Sequence, residues 1–561
     1  MVEKNDLELS FEKHKDELSC SNVMKIPYEM RCNFIKTTKN CDKFLGVTNY
    51  LKFVECSKKD TSRIDEILSC CGLAVLFFYL VLFVAIVADR FYSPALKATA
   101  KKMHMSEHLA GVTLLAVGNS TSDFLGQMQS THIDQVFTYM MANAILVTLI
   151  SGGLVCYLWP TQLPKYETVR TLLFFMLGAV SVEYMYTTDS SISVIECSLI
   201  IFLYIVYLII EIIEGYIEKV ADRGIVILES RMQYSHAPRS PRSTSIRRSS
   251  TSFSSKEKER NTINTQATRM VDYRVANPKN ELLLEGFVET IQPIEEEYWR
   301  NSGYAVRVAL LILAPLVFFC KLLMPIVNLE SRRHGWSKLL NCIQIVITPL
   351  FVTGVVSMRF SLVMCFQLLI TVPVALAVFK NSRTDLPPPY HFGFVILSYV
   401  GSILLLYICT NEMNEILNVV GLVFGLSAEF IASTISCWGS SMCTIVINCV
   451  LAQHGYGAMA IAASYAGPYF SFIMAMGFVP AYRHVLGTYS GSANGFYLVA
   501  YVFLIISLSS SLIWSLLFNF YGRRSVGIYN FIIYMLYIIY CALCEMELIH
   551  SYALDSEIKI V

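Results

Sequence analysis

Long apolar runs separated by short polar stretches dominate this chain. Crossing roughly 30 Å of hydrocarbon takes about 20 apolar residues in a helix, and only helices or closed barrels satisfy their backbone hydrogen bonds there. The runs are continuous rather than alternating, so they predict helices. In the first part they fall at 72–88, 109–127, 136–158, 169–186 and 192–213. In the second they fall at 306–327, 340–356, 362–379, 392–410, 416–424, 428–450, 459–478, 496–518 and 528–548. The run 416–424 is too short to span alone and reads as a half-helix or a re-entrant segment.

Composition agrees with this pattern. Of 561 residues, 55% are hydrophobic and only 16% charged, where a soluble domain is nearer a quarter charged. Soluble architectures are thereby excluded, and the chain reads as an all-α polytopic membrane protein of about 12–14 helices. A net charge of +1 gives no global field for nucleic acid.

One long polar segment, 215–304, divides the chain into a first membrane half (68–214) and a second (305–550). Within it, Arg231 to Arg260 holds eight Lys/Arg against two Glu and is rich in Ser. Such a stretch cannot bury enough apolar area to fold and is expected to be largely disordered. Arg247-Arg248-Ser249-Ser250 has the pattern of a basic-directed kinase site, where phosphate on Ser249 or Ser250 would reverse the local charge. A solvated linker is the plainer reading of the same residues.

Charge also orients the helices. Arg90, Lys97, Lys101 and Lys102 follow the first run, Lys165 and Arg170 the third, and the basic segment the fifth. All fall on one side, the positive-inside face, if the N-terminus lies on the other. The second half is less regular, with Arg332, Arg333 and Lys338 in one loop and Lys380 and Arg383 in another. The first twenty residues are acidic, with neither an apolar signal core nor an Arg-rich transit pattern. The first span is therefore expected to serve as an uncleaved anchor. Segment 1–67 then faces the non-cytoplasmic side, where Cys20, Cys32, Cys41 and Cys56 can form disulfides in any of three pairings. The remaining cysteines, Cys541 and Cys544 included, read as small packing residues in apolar helices.

The chemistry is expected where polar groups enter apolar helices. Gly118-Asn119-Ser120-Thr121-Ser122-Asp123 interrupts the second run. Asn119 and Asp123 are four apart and share a helix face. Their oxygens, with the Ser120 hydroxyl, are hard ligands suited to Ca²⁺ or Na⁺. A related stretch, Gly439-Ser440-Ser441-Met442-Cys443-Thr444, recurs 321 residues later, with Gly118/Gly439, Ser120/Ser441 and Thr113/Thr434 identical. There Ser440 and Thr444 repeat the i, i+4 spacing without a charge. Internal similarity of this kind points to a repeat transporter with its site between the halves. Small and hydroxyl residues that simply let helices pack closely explain the bare pattern about as well.

The two stretches resemble the α-repeats of the sodium/calcium exchanger superfamily. The branch they resemble is that of the cation/calcium exchangers, which includes the mitochondrial sodium/calcium exchanger. Gly118-Asn119 and Asp123 match that branch's Gly-Asn-Gly-Ala-Pro-Asp, with Ser120-Thr121-Ser122 in place of Gly-Ala-Pro. Ser441 matches the Ser of its Gly-Asn-Ser-x-Gly-Asp, while Ser440 stands for Asn and Thr444 for Asp. Ser471 stands where the family usually has Asn. Further similarity lies in Arg31-Cys32 with Cys41 and Cys56, in Ala88-Asp89 through Pro94, in Ile195-Glu196 with Tyr204 and Tyr207, and in Met459 through Phe470.

The resemblance implies two inverted repeat halves and Na⁺(Li⁺)/Ca²⁺ antiport by alternating access. Ca²⁺ and Na⁺ or Li⁺ would be the transported ions, with no cofactor and no catalysis. The implied ion ligands are Asn119, Ser120, Asp123, Ser440, Ser441, Thr444 and Ser471. Family resemblance favours the mitochondrial inner membrane, with the plasma membrane or another organelle left open. Losing the second-repeat carboxylate removes a full charge from a site where charge count tunes Ca²⁺ affinity. Weaker Ca²⁺ binding, a shift to monovalent cations, or a transport-inactive partner protein are the corresponding alternatives. Glu183 and Glu196 are candidates to compensate and Glu429 is a candidate to line an entrance, though each reads more readily as a helix-end or packing residue.

Overall fold

The computed structural model describes residues 23–37, 48–56, 63–128, 133–188, 193–235, 280–327, 333–357, 362–485 and 495–549, apart from five isolated positions within those ranges. Seventeen helices account for nearly all of them. Two short ones, α1 (Tyr28–Thr37) and α2 (Tyr50–Cys56), precede the apolar region. The first half comprises α3 (Arg63–Met103), α4 (107–128), α5 (133–158), α6 (Lys165–Thr188) and α7 (Val194–Ser235). Then come α8 (Leu283–Ile291), α9 (Glu296–Asn301), α10 (Tyr304–Leu323), α11 (Lys338–Ser357) and α12 (Leu362–Asn381). The second half comprises α13 (Phe392–Val423), α14 (Ala428–Gln453), α15 (Gly457–Val485), α16 (Gly495–Leu517) and α17 (Arg524–Glu545).

Twelve of these helices are long and apolar enough to cross a membrane, which makes this a multi-pass membrane protein. Helix α4 is not among the twelve, because Gly118 through Asp123 dilutes its apolarity. One sequence expectation is overturned. The runs 392–410 and 416–424 are not separate segments, and 416–424 is neither a half-helix nor re-entrant. Both belong to the continuous 32-residue helix α13. The polar turn Thr410-Asn411-Glu412 through Glu415 that parted them in hydropathy is helical and largely buried. Helix α7 likewise continues to Ser235, well past the expected end of its span. Ser249 and Ser250 lie outside the described residues.

The described residues form two compact units: one up to Ile212 and from Ser398 onward, the other from Ile213 to Leu397. In the second unit, Gln344 at the start of α11 donates to the carbonyls of Lys321 (2.7 Å) and Met324 (2.8 Å), closing the end of α10. Lys338 donates to the Ser382 carbonyl at 3.0 Å, so the open ends of α11 and α12 lie together. The apolar window of α12 buries nothing, as a lipid-facing helix would.

The first unit is built from the two halves, and its contacts set their sense. Asp89, in the last third of α3, meets His454, just past α14, at 2.7 Å, and Lys97 lies over the Tyr456 ring. The α5–α6 connection meets the α16–α17 connection through Leu163 N–H to Phe520 O (2.8 Å) and Gly522 N–H to Thr161 O (2.9 Å). The start of α14 meets the end of α17 through Ser427 and Glu545. Helix α4 therefore runs away from the face that α14 runs toward, and the halves are inverted. The face holding Lys97, Lys101, Lys102 and Lys165 also receives Arg523 and Arg524, in line with the charge pattern.

The N-terminal helices pack through a disulfide between Cys32 and Cys56. Cys20 and Cys41 lie outside the described residues. Arg31 ties the same segment to α3, at 2.9 Å from Glu66 and 3.8 Å from Glu55. Cys541 and Cys544 are free cysteines on an apolar helix, consistent with packing.

Candidate functional site

The two repeat helices are assembled alike from the backbone upward. Ser106 caps α4, its hydroxyl accepting from Leu109 N–H at 3.2 Å. Ser427, 321 residues on, caps α14 by accepting from Phe430 N–H at 3.1 Å. Each helix then widens into a π segment, Gly111–Leu115 and Ile431–Ile435. Such bulges displace carbonyls from the regular ladder and cluster at functional sites. A tyrosine hydroxyl donates to a carbonyl of each: Tyr399 to Leu114 at 2.7 Å and Tyr537 to Ser433 at 3.1 Å. The polar stretches follow directly.

Glycine at the head of each stretch permits close approach. A Cβ on Gly118 would stand 2.3 Å from the Tyr92 hydroxyl, and one on Gly439 would stand 2.7 Å from Cα of Asn414. Each repeat helix thus presses against the first helix of its own half, α3 or α13.

Beyond the glycines, the repeats interlock. Asn143 of α5 donates to Oδ2 of Asp123 at 3.0 Å and accepts from the Ser441 hydroxyl through its own Oδ1. Tyr139, one turn earlier, donates to Ser440 at 2.5 Å. Asn119 donates to Asn448 Oδ1 at 3.3 Å, and Asn448 donates to Ser151 (2.9 Å) and Ser464 (3.1 Å). These groups are all buried. Inside a membrane protein such a layer persists only because its members satisfy one another.

A cavity of about 30 Å³ opens beside this network, with Asp123, Tyr139, Ser440, Thr410, Asn414 and Glu415 in its wall. That is room for one or two water-sized occupants. Asp123 is 3% exposed, and its Oδ1 has no hydrogen-bond partner among the described residues. The wall offers carboxylate, amide and hydroxyl oxygens and, among the described residues, no cationic side chain. Chemically this suits a hard cation.

The sequence-expected residues divide accordingly. Asp123 and Ser440 line the cavity; Asn119 and Ser441 belong to the adjoining network. Ser120 is buried where its hydroxyl faces Gly467 of α15. Thr444 is buried without lining the cavity, and the Ser471 hydroxyl donates to the Pro468 carbonyl in its own helix at 3.2 Å. None of Glu183, Glu196 and Glu429 reaches the cavity. Glu196 forms a capping box with Ser193 at the start of α7. Glu429 stands in the first turn of α14, and Glu183 lies beside Tyr497.

Sequence reasoning did not single out Tyr139, Asn143, Asn448, Asn411, Asn414 or Glu415 as site residues. A signal for Asn448 was present: Asn119, Asp123 and Gln127 are matched 321 residues on by Ser440, Thr444 and Asn448, one helix face continued for another turn.

Two inverted five-helix halves closing on a buried polar layer define an inverted-repeat membrane protein of the transporter type. The chain belongs to the sodium/calcium exchanger protein family, whose profile matches residues 73–213 and 394–543, more than half of its length. It is 25% identical over 480 residues to the human mitochondrial sodium/calcium exchanger protein, covering 82% of this chain and 78% of that one. The mouse protein of the same name is 24% identical, covering 82% and 77%. Cation/calcium exchanger 1 of Arabidopsis thaliana is 22% identical, covering 85% and 80%. Among solved structures the sodium-calcium exchanger NCX_Mj aligns at 11% identity with a TM-score of 0.42, covering 83% of this chain and 98% of that one. The family profile omits 214–393, nearly the whole of the second compact unit.

Proposed function

We propose that this protein exchanges Ca²⁺ for Na⁺ or Li⁺ as a secondary active antiporter, contributing to calcium homeostasis by alternating access. Asp123 would be the principal ligand, with Ser440 beside it. Asn119, Ser120, Ser441, Thr444 and Ser471 would contribute ligands or shape as the halves rearrange. The observation that carries this reading is the buried Oδ1 of Asp123, without a hydrogen-bond partner among the described residues, in the wall of an ion-sized, oxygen-lined cavity between inverted repeats. A carboxylate oxygen left bare at that depth is costly unless a cation completes it. Inverted halves supply two related packings of one site, which alternating access requires. The names of the animal relatives favour a mitochondrial location, and the inner membrane is the one proposed.

The test is ⁴⁵Ca²⁺ uptake driven by a Na⁺ gradient in proteoliposomes. The natural protein should transport and Asp123→Ala should not. Uptake unchanged in Asp123→Ala removes this site from the mechanism. Na⁺ or Li⁺ flux without Ca²⁺ uptake would instead support a monovalent exchanger, the reading favoured by Ser440 and Thr444 in place of Asn and Asp. Absence of flux with every cation would favour a transport-inactive partner protein.

A further inference from the structure

The polar stretch of the second repeat carries no carboxylate: Thr444 stands where the offset of 321 pairs it with Asp123. A site with Asp123 alone would leave a divalent ion half-compensated in low dielectric. Yet the cavity wall holds a second acid, contributed from outside both repeats. Glu415 lies on α13, is 6% exposed, and lines the cavity together with Asp123. The same offset pairs Glu415 with Pro94 of α3, so the first half has no counterpart to this carboxylate.

We propose that Glu415 is the second carboxylate of the cation site, and that Asp123 and Glu415 together make it a divalent-cation site despite the neutral polar stretch of the second repeat. This inference rests on the transport reading above. Several features converge on it. The close approach at Gly439, whose Cβ would meet Asn414 Cα at 2.7 Å, holds this turn of α13 against the second repeat. Asn414 and Thr410 bring neutral oxygens from the same helix into the wall, and the buried Oδ1 of Asn414, like that of Asp123, has no hydrogen-bond partner among the described residues. Ca²⁺ takes six to eight oxygens and gains affinity with ligand charge. Two carboxylates with amide and hydroxyl oxygens match that demand in number and cancel the ion's charge. Na⁺ needs only one of the two charges, so the second acid chiefly supports the divalent ion.

The neighbouring acid has a different role. Glu412, one turn before Glu415, accepts the Tyr50 hydroxyl at 2.5 Å and is absent from the cavity wall. It serves as an internal control, because any general effect of removing charge from this turn should appear there too.

The experiment uses the full-length protein, purified and reconstituted, and reads two quantities. One is the half-saturating Ca²⁺ concentration for ⁴⁵Ca²⁺ uptake. The other is equilibrium ⁴⁵Ca²⁺ binding to the monodisperse detergent-solubilised fraction. Glu415→Gln should raise both constants roughly tenfold or more, Glu415→Asp should raise them less, and Glu412→Gln should leave them within about twofold. Half-saturation by Na⁺ should change less than that by Ca²⁺. Should Glu415→Gln bind and transport Ca²⁺ like the natural protein while Asp123→Asn does not, the role of Glu415 is overturned and the transport reading stands. Should the natural protein neither bind nor transport Ca²⁺, the transport reading fails and this inference with it. Restricting binding to the monodisperse fraction, and including Glu415→Asp, separates lost ligation from lost folding.

Discussion

Asn119 of the first repeat donates its side-chain amide to Oδ1 of Asn448 in the second, at 3.3 Å, in a layer where Asn448 is fully buried. The bond joins residues 329 positions apart and is one of the direct links between the two repeat helices. Asn448 also donates to Ser151 and Ser464, so a single side chain serves three partners.

Removing Asn448 should therefore cost more than one hydrogen bond. Asn448→Ala leaves the Asn119 amide without its partner, at about 1–3 kcal/mol for a buried orphan, and also takes a donor from Ser151 and Ser464, whose hydroxyls keep each other as partners. Asn119→Ala should destabilise less, because Asn448 keeps Ser151 and Ser464. Thermal melting in detergent should show the double variant less destabilised than the sum of the singles, with a coupling of roughly 0.5–3 kcal/mol. Strict additivity would mean that the Asn119–Asn448 contact carries no energy.

The disulfide supplies a second prediction. Cys32 and Cys56 are 24 residues apart, and closing a loop of that size removes chain entropy worth about 3 kcal/mol from the unfolded segment. Cys32→Ser should loosen α1 and α2, raising protease cleavage and hydrogen exchange there, with little change in the melting of the helical halves. Equal protection in the natural and variant proteins would remove the disulfide from the stability of this segment.

Much of this arrangement was legible in the sequence, for identifiable reasons. Apolar runs set nearly every span, since a membrane helix advertises itself by length and composition. The offset of 321 exposed the repeats, because a glycine heads each polar stretch where the first helix of its own half comes close, through the Tyr92 hydroxyl at Gly118 and the Asn414 backbone at Gly439. The wall contributed by α13 was hidden by the property that makes it useful. Asn411, Glu412, Asn414 and Glu415 lower the hydropathy of one turn enough to resemble a break, and only the packing of that turn against α4 and α14 shows that it continues a buried helix. The partners of Asp123 were similarly out of reach. Asn143 lies on the next helix, and no local spacing reveals which side chain it will meet.

The N-terminal segment also has a predictable response to pH. Arg31 is shared by two buried carboxylates, Glu66 at 2.9 Å and Glu55 at 3.8 Å. Burial first, and then the Glu66 charge, push Glu55 up to about 7 against the partial opposition of Arg31. The folded segment thus binds a proton that the unfolded one has lost, and its stability falls as pH rises from about 4.5 through about 7. Hydrogen exchange in α1 and α2 should quicken over that window beyond the intrinsic base-catalysed increase. Glu55→Gln should flatten the excess. A pH-independent protection factor in the natural protein would contradict the assignment.

The last prediction concerns the contact that brings α13 to the site. A Cβ on Gly439 would meet backbone atoms of Asn414, with Cα at 2.7 Å and N at 3.0 Å. Backbone cannot rotate away as a side-chain tip can, so Gly439→Ala must push α13 and α14 apart. Overpacking of this kind typically costs about 1–3 kcal/mol. The displacement carries Asn414, and with it Glu415, away from Ser440 and Asp123, widening the cavity. Gly439→Ala should therefore lower thermal stability and weaken Ca²⁺ uptake together. Gly425→Ala, at the far end of α13 where a Cβ meets nothing within 4 Å but φ is +73°, should disturb the local turn and leave uptake much less affected. If Gly439→Ala melts and transports like the natural protein, the two helices are not held at the separation seen here, and the pairing of Glu415 with Asp123 loses its structural support.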